Sequence, residues 1–174
     1  MAGAKYEASD RRVRDLFWDE GERLSAEQQA LHPSIERIND WGRQHPEWFA
    51  GVWLENRGFL ERTGPVRIGV GVAGPDVTAA TDQLVALVDD PALLTVVPKA
   101  LTEVALRAAQ DRVVARWMSA GADSEDRVTG CGADITSNTL EVMLREPDPA
   151  LEEQIRRENE EVPITIVYGF ASPA

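Results

Sequence analysis

Residues 128–144, VTGCGADITSNTLEVML, decide how the rest of the chain is interpreted. Two runs rich in β-forming residues, 128–135 and 139–144, are separated by Thr-Ser-Asn, whose side chains hydrogen-bond local backbone and favour a turn. The second run alternates apolar with mostly polar residues, which is typical of a half-buried strand. The stretch therefore predicts a β-hairpin.

A helix and a third strand are predicted after this hairpin. Asp148 has the side chain of an N-cap, and Pro149 fits the first helical position, where its missing N–H costs nothing. Leu151 and Ile155 are four residues apart and give the helix one apolar face, while residues 164–168 form another β-rich run. The predicted unit is strand, strand, helix, strand.

The same order of elements is predicted earlier in the chain. Residues 50–55 and 66–72 match the two strands of the hairpin, with a longer turn between them. Asp76 is placed to cap a helix with one apolar face, and residues 93–97 supply the third strand. The sequence therefore predicts two copies of one ββαβ unit.

Helices are expected outside the two units. Residues 101–117 contain no glycine or proline and predict a long helix that joins the units. Residues 1–24 predict a short amphipathic helix or a partner-binding arm. A capping box at Ser25 predicts a second helix, which Pro33 breaks or restarts with Ser34 as a new cap.

These elements predict an α+β fold of four consecutive parts. Residues 1–45 are a helical extension that ends near Gly42, and residues 46–98 are the first ββαβ unit. Residues 99–120 are the linking helix, and residues 121–174 are the second unit with a C-terminal tail. A chain of 174 residues is long enough to bury a substantial core.

The amino-acid composition indicates which classes of partner and which cellular compartment to expect. The chain has 30 acidic and 18 basic residues and a net charge of −12, which disfavours binding to nucleic acid and to anionic lipid. The N-terminus lacks an apolar export segment, and no stretch of 18 apolar residues occurs. We expect a cytoplasmic protein that binds neither nucleic acid nor membrane.

The nucleophile candidate is Cys131, the single cysteine. His32 or His45 would have to act as its base, but no motif connects either histidine with it. A lone cysteine in a strand is usually a small buried hydrophobic residue, and it excludes an internal disulfide. The sequence therefore predicts no catalytic residue and no enzymatic activity.

Metal sites are not predicted either. His45 has no second histidine at ligand spacing. The acidic loop containing Asp123, Glu125 and Asp126 lacks the glycine and the final glutamate of a calcium-binding loop. We expect solvated loop carboxylates, with no metal and no cofactor.

Gly69, Gly71 and Gly74 satisfy the G-x-G-x-x-G pattern of dinucleotide-binding turns. In such a site the strand ends before the first glycine, and the helix begins within the motif. Here β-branched residues alternate straight through the glycines, and Pro75 separates them from the helix. The pattern predicts glycines on one face of a strand.

Four aromatic residues surround the start of the first unit: Trp41, Trp48, Phe49 and Trp53. Their simplest interpretation is the seam where the N-terminal helix lies on the sheet. An exposed aromatic patch is the alternative, in which case Trp48 and Trp53 would contact a partner.

Parts of the chain resemble the pro-regions of secreted bacterial serine proteases of the streptogrisin and α-lytic kind. The resemblance covers about residues 46–170 and equally fits a broader bacterial family of stand-alone domains with this repeat. The segments that carry it are AGVWL (50–54), VRIGV (66–70), LTEVALRAAQDRV (101–113) and GADITSNTLEV (132–142).

The resemblance implies a protein that folds and inhibits a protease and has no enzymatic activity itself. Such a pro-region docks by sheet extension and places its C-terminal tail at the active site of the protease. Carried over, Ile164, Ile166 and Tyr168 would pair with a partner strand, and Phe170 and Ser172 would belong to the tail. Because no protease follows in this sequence, the expected action is in trans.

We therefore expect a non-enzymatic protein-interaction domain, such as a pro-domain-like inhibitor or folding chaperone acting in trans. One alternative is a self-associating structural protein whose sheet edges are covered by another copy. A second alternative is a nucleotide or small-molecule binder that uses Gly69, Gly71 and Gly74.

Overall fold

The computed structural model describes residues 3–55, 64–118 and 127–169, with side chains from residue 21 onward. Within these residues, a short 3₁₀ turn precedes the third strand and a π-helical turn continues the third helix. In chain order the helices and strands are α1 (Gly3–Gln44), β1 (Phe49–Glu55), β2 (Arg67–Ala73), α2 (Val77–Val85), β3 (Leu94–Lys99), α3 (Glu103–Val113), β4 (Val128–Asp134), β5 (Thr139–Leu144), α4 (Pro149–Glu158) and β6 (Ile164–Tyr168).

The strands form two three-stranded sheets, ordered β1-β2-β3 and β4-β5-β6. In each sheet the first pair is antiparallel, and the second pair is parallel because a helix crosses between its strands. The chain therefore combines helices with two short mixed sheets, and the predicted α+β class is confirmed.

The two sheets share local features as well as strand order. The register of the first sheet shifts between Phe49 and Gly51, and that of the second shifts at the corresponding place, between Val128 and Gly130. An aspartate N-cap begins the helix that follows in both units, Asp76 in the first and Asp148 in the second. Descent of the units from one duplicated segment stays a prediction.

The first core lies between one face of the first sheet and the helices α1 and α2. The alternation along β2 directs Ile68, Val70 and Val72 to this face, and all three are buried. Helices α1 and α2 add further buried side chains: Leu31, Ile38, Trp41, Ala80 and Leu84.

The second core lies between the second sheet and the helices α3 and α4. Leu140, Val142 and Leu144 are fully buried on the inner face of β5, as the alternation predicts. Helices α3 and α4 supply Leu106, Ala109, Val113, Leu151 and Ile155. Helix α3 therefore packs into the core of the second unit in addition to connecting the units.

Helix α1 corrects the prediction of separate N-terminal segments. It runs unbroken from Gly3 to Gln44 with Pro33 inside it, so Ser25 does not start a helix. Its end lies two residues beyond Gly42, where the sequence indicated it. Pro33 removes one backbone donor, and its ring faces solvent. The burial of Ile38 and Trp41 against the sheet offsets this loss.

Ser34 was expected to cap a new helix and instead joins α1 to the loop that follows α2. It is 3% exposed, and its hydroxyl donates to Asp89 Oδ2 at 3.2 Å. The guanidinium of Arg37 donates to the Ser34 hydroxyl at 3.0 Å and pairs with Asp89 at 2.8 Å. This network is a long-range contact, which local sequence patterns do not encode.

The tip of the second hairpin holds the two units together. The Asn138 carboxamide accepts hydrogen bonds from the N–H groups of Ala100 (3.1 Å) and Leu101 (2.9 Å) and donates to the Leu101 carbonyl at 2.9 Å. The Lys99 ammonium donates to the Thr136 carbonyl. The hairpin predicted from local sequence therefore also forms the polar joint between the units.

Candidate interaction surfaces

Strand β6 forms one edge of the second sheet. The Leu140 N–H donates to the Pro163 carbonyl at 2.9 Å, and the Gly169 N–H donates to the Leu144 carbonyl at 2.8 Å. Pro163 and Gly169, on either side of β6, therefore direct their backbone groups toward β5. Because successive residues of a strand point these groups to opposite sides, the even-numbered residues direct theirs outward.

The outward-facing residues of β6 are Ile164, Ile166 and Tyr168. Among the described residues, β5 is the only strand beside β6. The Arg156 side chain donates to the Ile164 carbonyl at 2.6 Å and so covers the start of the edge. The backbone groups of Ile166 and Tyr168 are placed to pair with another strand.

The side chains along this edge differ in exposure. Ile164 and Ile166 are partly buried against the second core, whereas Tyr168 is 48% exposed. The Tyr168 hydroxyl donates to Glu152 Oε1 at 2.7 Å, and this bond raises the pKa of Tyr168. Phe170 and Ser172, the predicted tail contacts, lie outside the described residues.

The aromatic residues divide between the core and the surface. Trp41 and Phe49 are buried where α1 meets the sheet, as the seam interpretation predicts. Trp48 is half-buried and stacks with His45 at a ring-centroid distance of 5.7 Å. Trp53 is also half-buried and lies under the Lys99 ammonium, 5.2 Å from its ring centroid.

The glycines of the G-x-G-x-x-G pattern lie where alternation predicts. Gly69 and Gly71 are inside β2, and a Cβ on Gly69 would come within 2.3 Å of the Trp53 ring. Helix α2 begins three residues after Gly74, behind the carboxylate cap of Asp76. That carboxylate repels a phosphate at the place where a dinucleotide site would need one. Gly69 therefore makes room for an aromatic ring, and Gly71 for the close approach of Ala50 and Lys99.

Cys131 is half-buried in β4 and faces the second core. Burial raises its pKa to about 11, so the thiolate that nucleophilic chemistry requires is disfavoured near neutral pH. This environment does not suit a catalytic cysteine.

The remaining candidates do not assemble a metal site. Among the residues whose side chains are described, which begin at residue 21, no cluster of three or more His, Cys, Asp or Glu side chains is placed to hold a metal ion. Asp123, Glu125 and Asp126 lie outside those residues. Among the described residues, no helix combines the length and the hydrophobicity that a membrane span requires.

One surface was missed by the sequence analysis, namely a groove of about 520 Å³ between the end of α1 and the outer face of α3. It is lined by Asn39, Gly42, Arg43, Pro46, Phe49, Glu103, Val104, Arg107, Ala108 and Asp111. The sequence signal that could have indicated the groove was Val104, an apolar residue of α3 outside its buried face. In the structure Val104 is 59% exposed. The position of α1 beside α3 follows only from the tertiary fold.

We compared the chain with protein-family models and with curated proteins. Neither a protein-family model nor a curated protein matches the chain. The resemblance to protease pro-regions therefore rests on the sequence pattern alone.

Proposed function

We propose that this protein is a non-enzymatic interaction domain that pairs the outer edge of β6 with a strand of a partner protein. It acts in trans as a pro-domain-like protease inhibitor or folding chaperone. The supporting observation is the outward orientation of the backbone groups of Ile166 and Tyr168, with β5 as the one described strand beside β6. Strand addition uses such an edge, because main-chain hydrogen bonds supply affinity.

The surroundings of the edge supply selectivity. Side chains on the two faces of an added strand meet different neighbours. One face of the second sheet offers the exposed Tyr168 ring and its Glu152 partner, and the other offers the exposed Met143. The net charge of −12 favours a partner whose contact surface is basic.

Inhibition of a streptogrisin-type serine protease tests this proposal. We expect saturable inhibition by the purified chain. Tyr168→Pro removes an outward N–H and should weaken inhibition by about tenfold, because the added strand loses a main-chain hydrogen bond and its regular geometry. Tyr168→Phe is the matched control, since it keeps the backbone donor and loses only the hydroxyl.

Two results would reject the proposal in different ways. No inhibition at about 100 μM rejects the inhibitor role, because that concentration would reveal even a weak complex. Equal inhibition by Tyr168→Pro and Tyr168→Phe rejects the β6 edge as the contact surface.

The same edge supports self-association as a second candidate function. Two copies related by a two-fold axis can pair their β6 strands antiparallel. Light scattering over a range of concentrations distinguishes this case, because a dimer would dissociate on dilution and Tyr168→Pro would remain monomeric. A wild-type monomer at every concentration removes this candidate.

A further inference from the structure

The groove between α1 and α3 has the size and lining of a binding site. Its volume of about 520 Å³ lies in the range of pockets that enclose small ligands or several side chains. Its walls come from both halves of the chain, with α1 and the start of β1 on one side and α3 on the other. It is separate from the β6 edge, and either surface can fail its test without the other.

The floor of the groove is apolar and firmly held. Gly42 allows α1 to rest directly on Phe49, because a Cβ on Gly42 would lie 2.6 Å from that ring. Pro46 and Ala108 continue the apolar lining. Val104 projects into it from α3 with 59% of its surface exposed, which an apolar partner side chain would cover.

Each of the two arginines that line the groove is paired with a neighbouring carboxylate. Arg43 pairs with Asp40, and Arg107 donates to Glu103 at 3.1 Å. The Asp111 carboxylate lines the groove and forms no ion pair or hydrogen bond with any residue in the described part of the chain. The charge left for a ligand to neutralise is therefore negative, in agreement with the net charge of −12.

The spacing of these features fits a helix. Val104 and Asp111 are seven residues apart on α3, which is about 10 Å along the axis, or two turns. A helix lying along the groove presents side chains at positions i and i+7 with the same spacing. An apolar residue at one position and a basic residue at the other would match Val104 and Asp111 together.

We propose that this groove binds a basic amphipathic helix of a partner protein. The helix inserts an apolar side chain over Phe49 and Val104 and places a lysine or arginine on the Asp111 carboxylate. The apolar contact supplies most of the affinity, and the ion pair sets the direction of the helix.

The test uses a fluorescein-labelled synthetic helix of about 16 residues, with leucines at i and i+4 and lysine at i+7. In fluorescence anisotropy we expect saturable 1:1 binding with a Kd of tens of micromolar, and at least about tenfold weaker binding when the lysine is replaced by glutamate. Val104→Arg should weaken binding by about tenfold, and Asp111→Asn by about threefold. Both residues are exposed, so the variants should fold, as circular dichroism will verify.

Two variants on α2 provide matched controls. Val85→Arg and Asp82→Asn introduce the same chemical changes at exposed positions outside the groove and should leave binding unchanged. Equal weakening by Asp82→Asn and Asp111→Asn would show general attraction to an acidic protein and overturn the proposal. Absence of binding at about 1 mM peptide would also overturn it, and neither result bears on inhibition through β6.

Discussion

Asn138 shows how much one turn residue contributes to this structure. It has a φ of 60°, a left-handed conformation that asparagine tolerates better than most residues. Its side chain is 6% exposed and makes three hydrogen bonds to the backbone of residues 100–101. The same residue therefore closes the second hairpin and attaches it to the start of α3.

Replacement of Asn138 should be costly. Asn138→Ala leaves two backbone N–H groups without their acceptor. It also puts alanine at a positive φ, where alanine lacks the polar side chain that helps asparagine tolerate this conformation. We therefore expect a loss of about 2–3 kcal/mol in the free energy of unfolding. Asn138→Gly is the control, because it relieves the backbone strain and still lacks the hydrogen bonds. Urea denaturation measures both, and a loss below about 0.5 kcal/mol for Asn138→Ala would contradict this account.

Asp134 should make stability depend on pH. The Ser137 hydroxyl, followed by the N–H groups of Ser137 and Thr136, lowers the pKa of Asp134. A carboxylate with a lowered folded pKa contributes stability that is present above its unfolded pKa of about 4 and is lost as the pH falls through the folded value.

Asp134→Asn should therefore be less stable than the wild type at pH 7 and approach it in strong acid. Unfolding by urea between pH 2 and 7 measures the difference. A difference in the free energy of unfolding that stays constant across this pH range would show that the charge of the Asp134 carboxylate does not cause the loss of stability. Asp82→Asn makes the same chemical change at an exposed position on α2 and is the matched control.

At the scale of elements, the strands use glycine in two different ways. Gly69 in β2 lies directly beneath the Trp53 ring, whereas a Cβ on Gly132 in β4 would meet no atom within 4 Å. The first glycine is required by a close contact, and the second occupies an open sheet face. Local sequence does not distinguish them, because the ring that crosses Gly69 comes from the neighbouring strand.

Alanine substitutions should separate these two glycines. Gly69→Ala forces the Trp53 ring aside and should lower the free energy of unfolding by about 1–3 kcal/mol. Gly132→Ala should be neutral or stabilise by a few tenths of a kcal/mol, because alanine restricts the unfolded chain. Thermal and urea unfolding provide the measurement, and equal effects at the two sites would refute the assignment.

At the scale of the whole molecule, net charge opposes folding. A charge of −12 on a compact chain creates self-repulsion that dissolved salt screens. We expect the thermal midpoint at pH 7 to rise by a few degrees between about 0.02 and 0.5 M NaCl. The rise should disappear near the sequence pI of about 4.6. A falling midpoint at pH 7 would mean that the favourable ion pairs outweigh the repulsion.

The predicted pattern was most successful where interactions are local. The hairpin expected at residues 128–135 and 139–144 appears as β4 and β5, and the strand expected at residues 164–168 is β6. Alternation and aspartate caps act over a few residues, so the sequence carries them directly. The break expected at Pro33 was wrong, because long-range burial of α1 outweighs the loss of one helical hydrogen bond.

The sequence predicted one candidate surface in part and the other not at all, because it carries local patterns but not long-range contacts. The β6 strand and its composition were available from the sequence, but its position at a sheet edge depends on which strands pair. The groove beside Val104 was not predicted, since it needs the end of α1 to lie next to α3. For Trp53 the sequence left a buried seam and an exposed patch open, and the structure places its half-buried ring between Gly69 and Lys99.

The sequence by itself determined the order of elements, the inner and outer faces of the strands, and the acidic charge of this protein. Each of these depends on residue spacing or composition, which a linear chain contains in full. Only the tertiary structure decided that α1 continues through Pro33, that Asn138 attaches the second hairpin to the start of α3, and that a groove opens between α1 and α3. Those features arise where segments distant in sequence pack together, and their energies depend on contacts that no local pattern specifies.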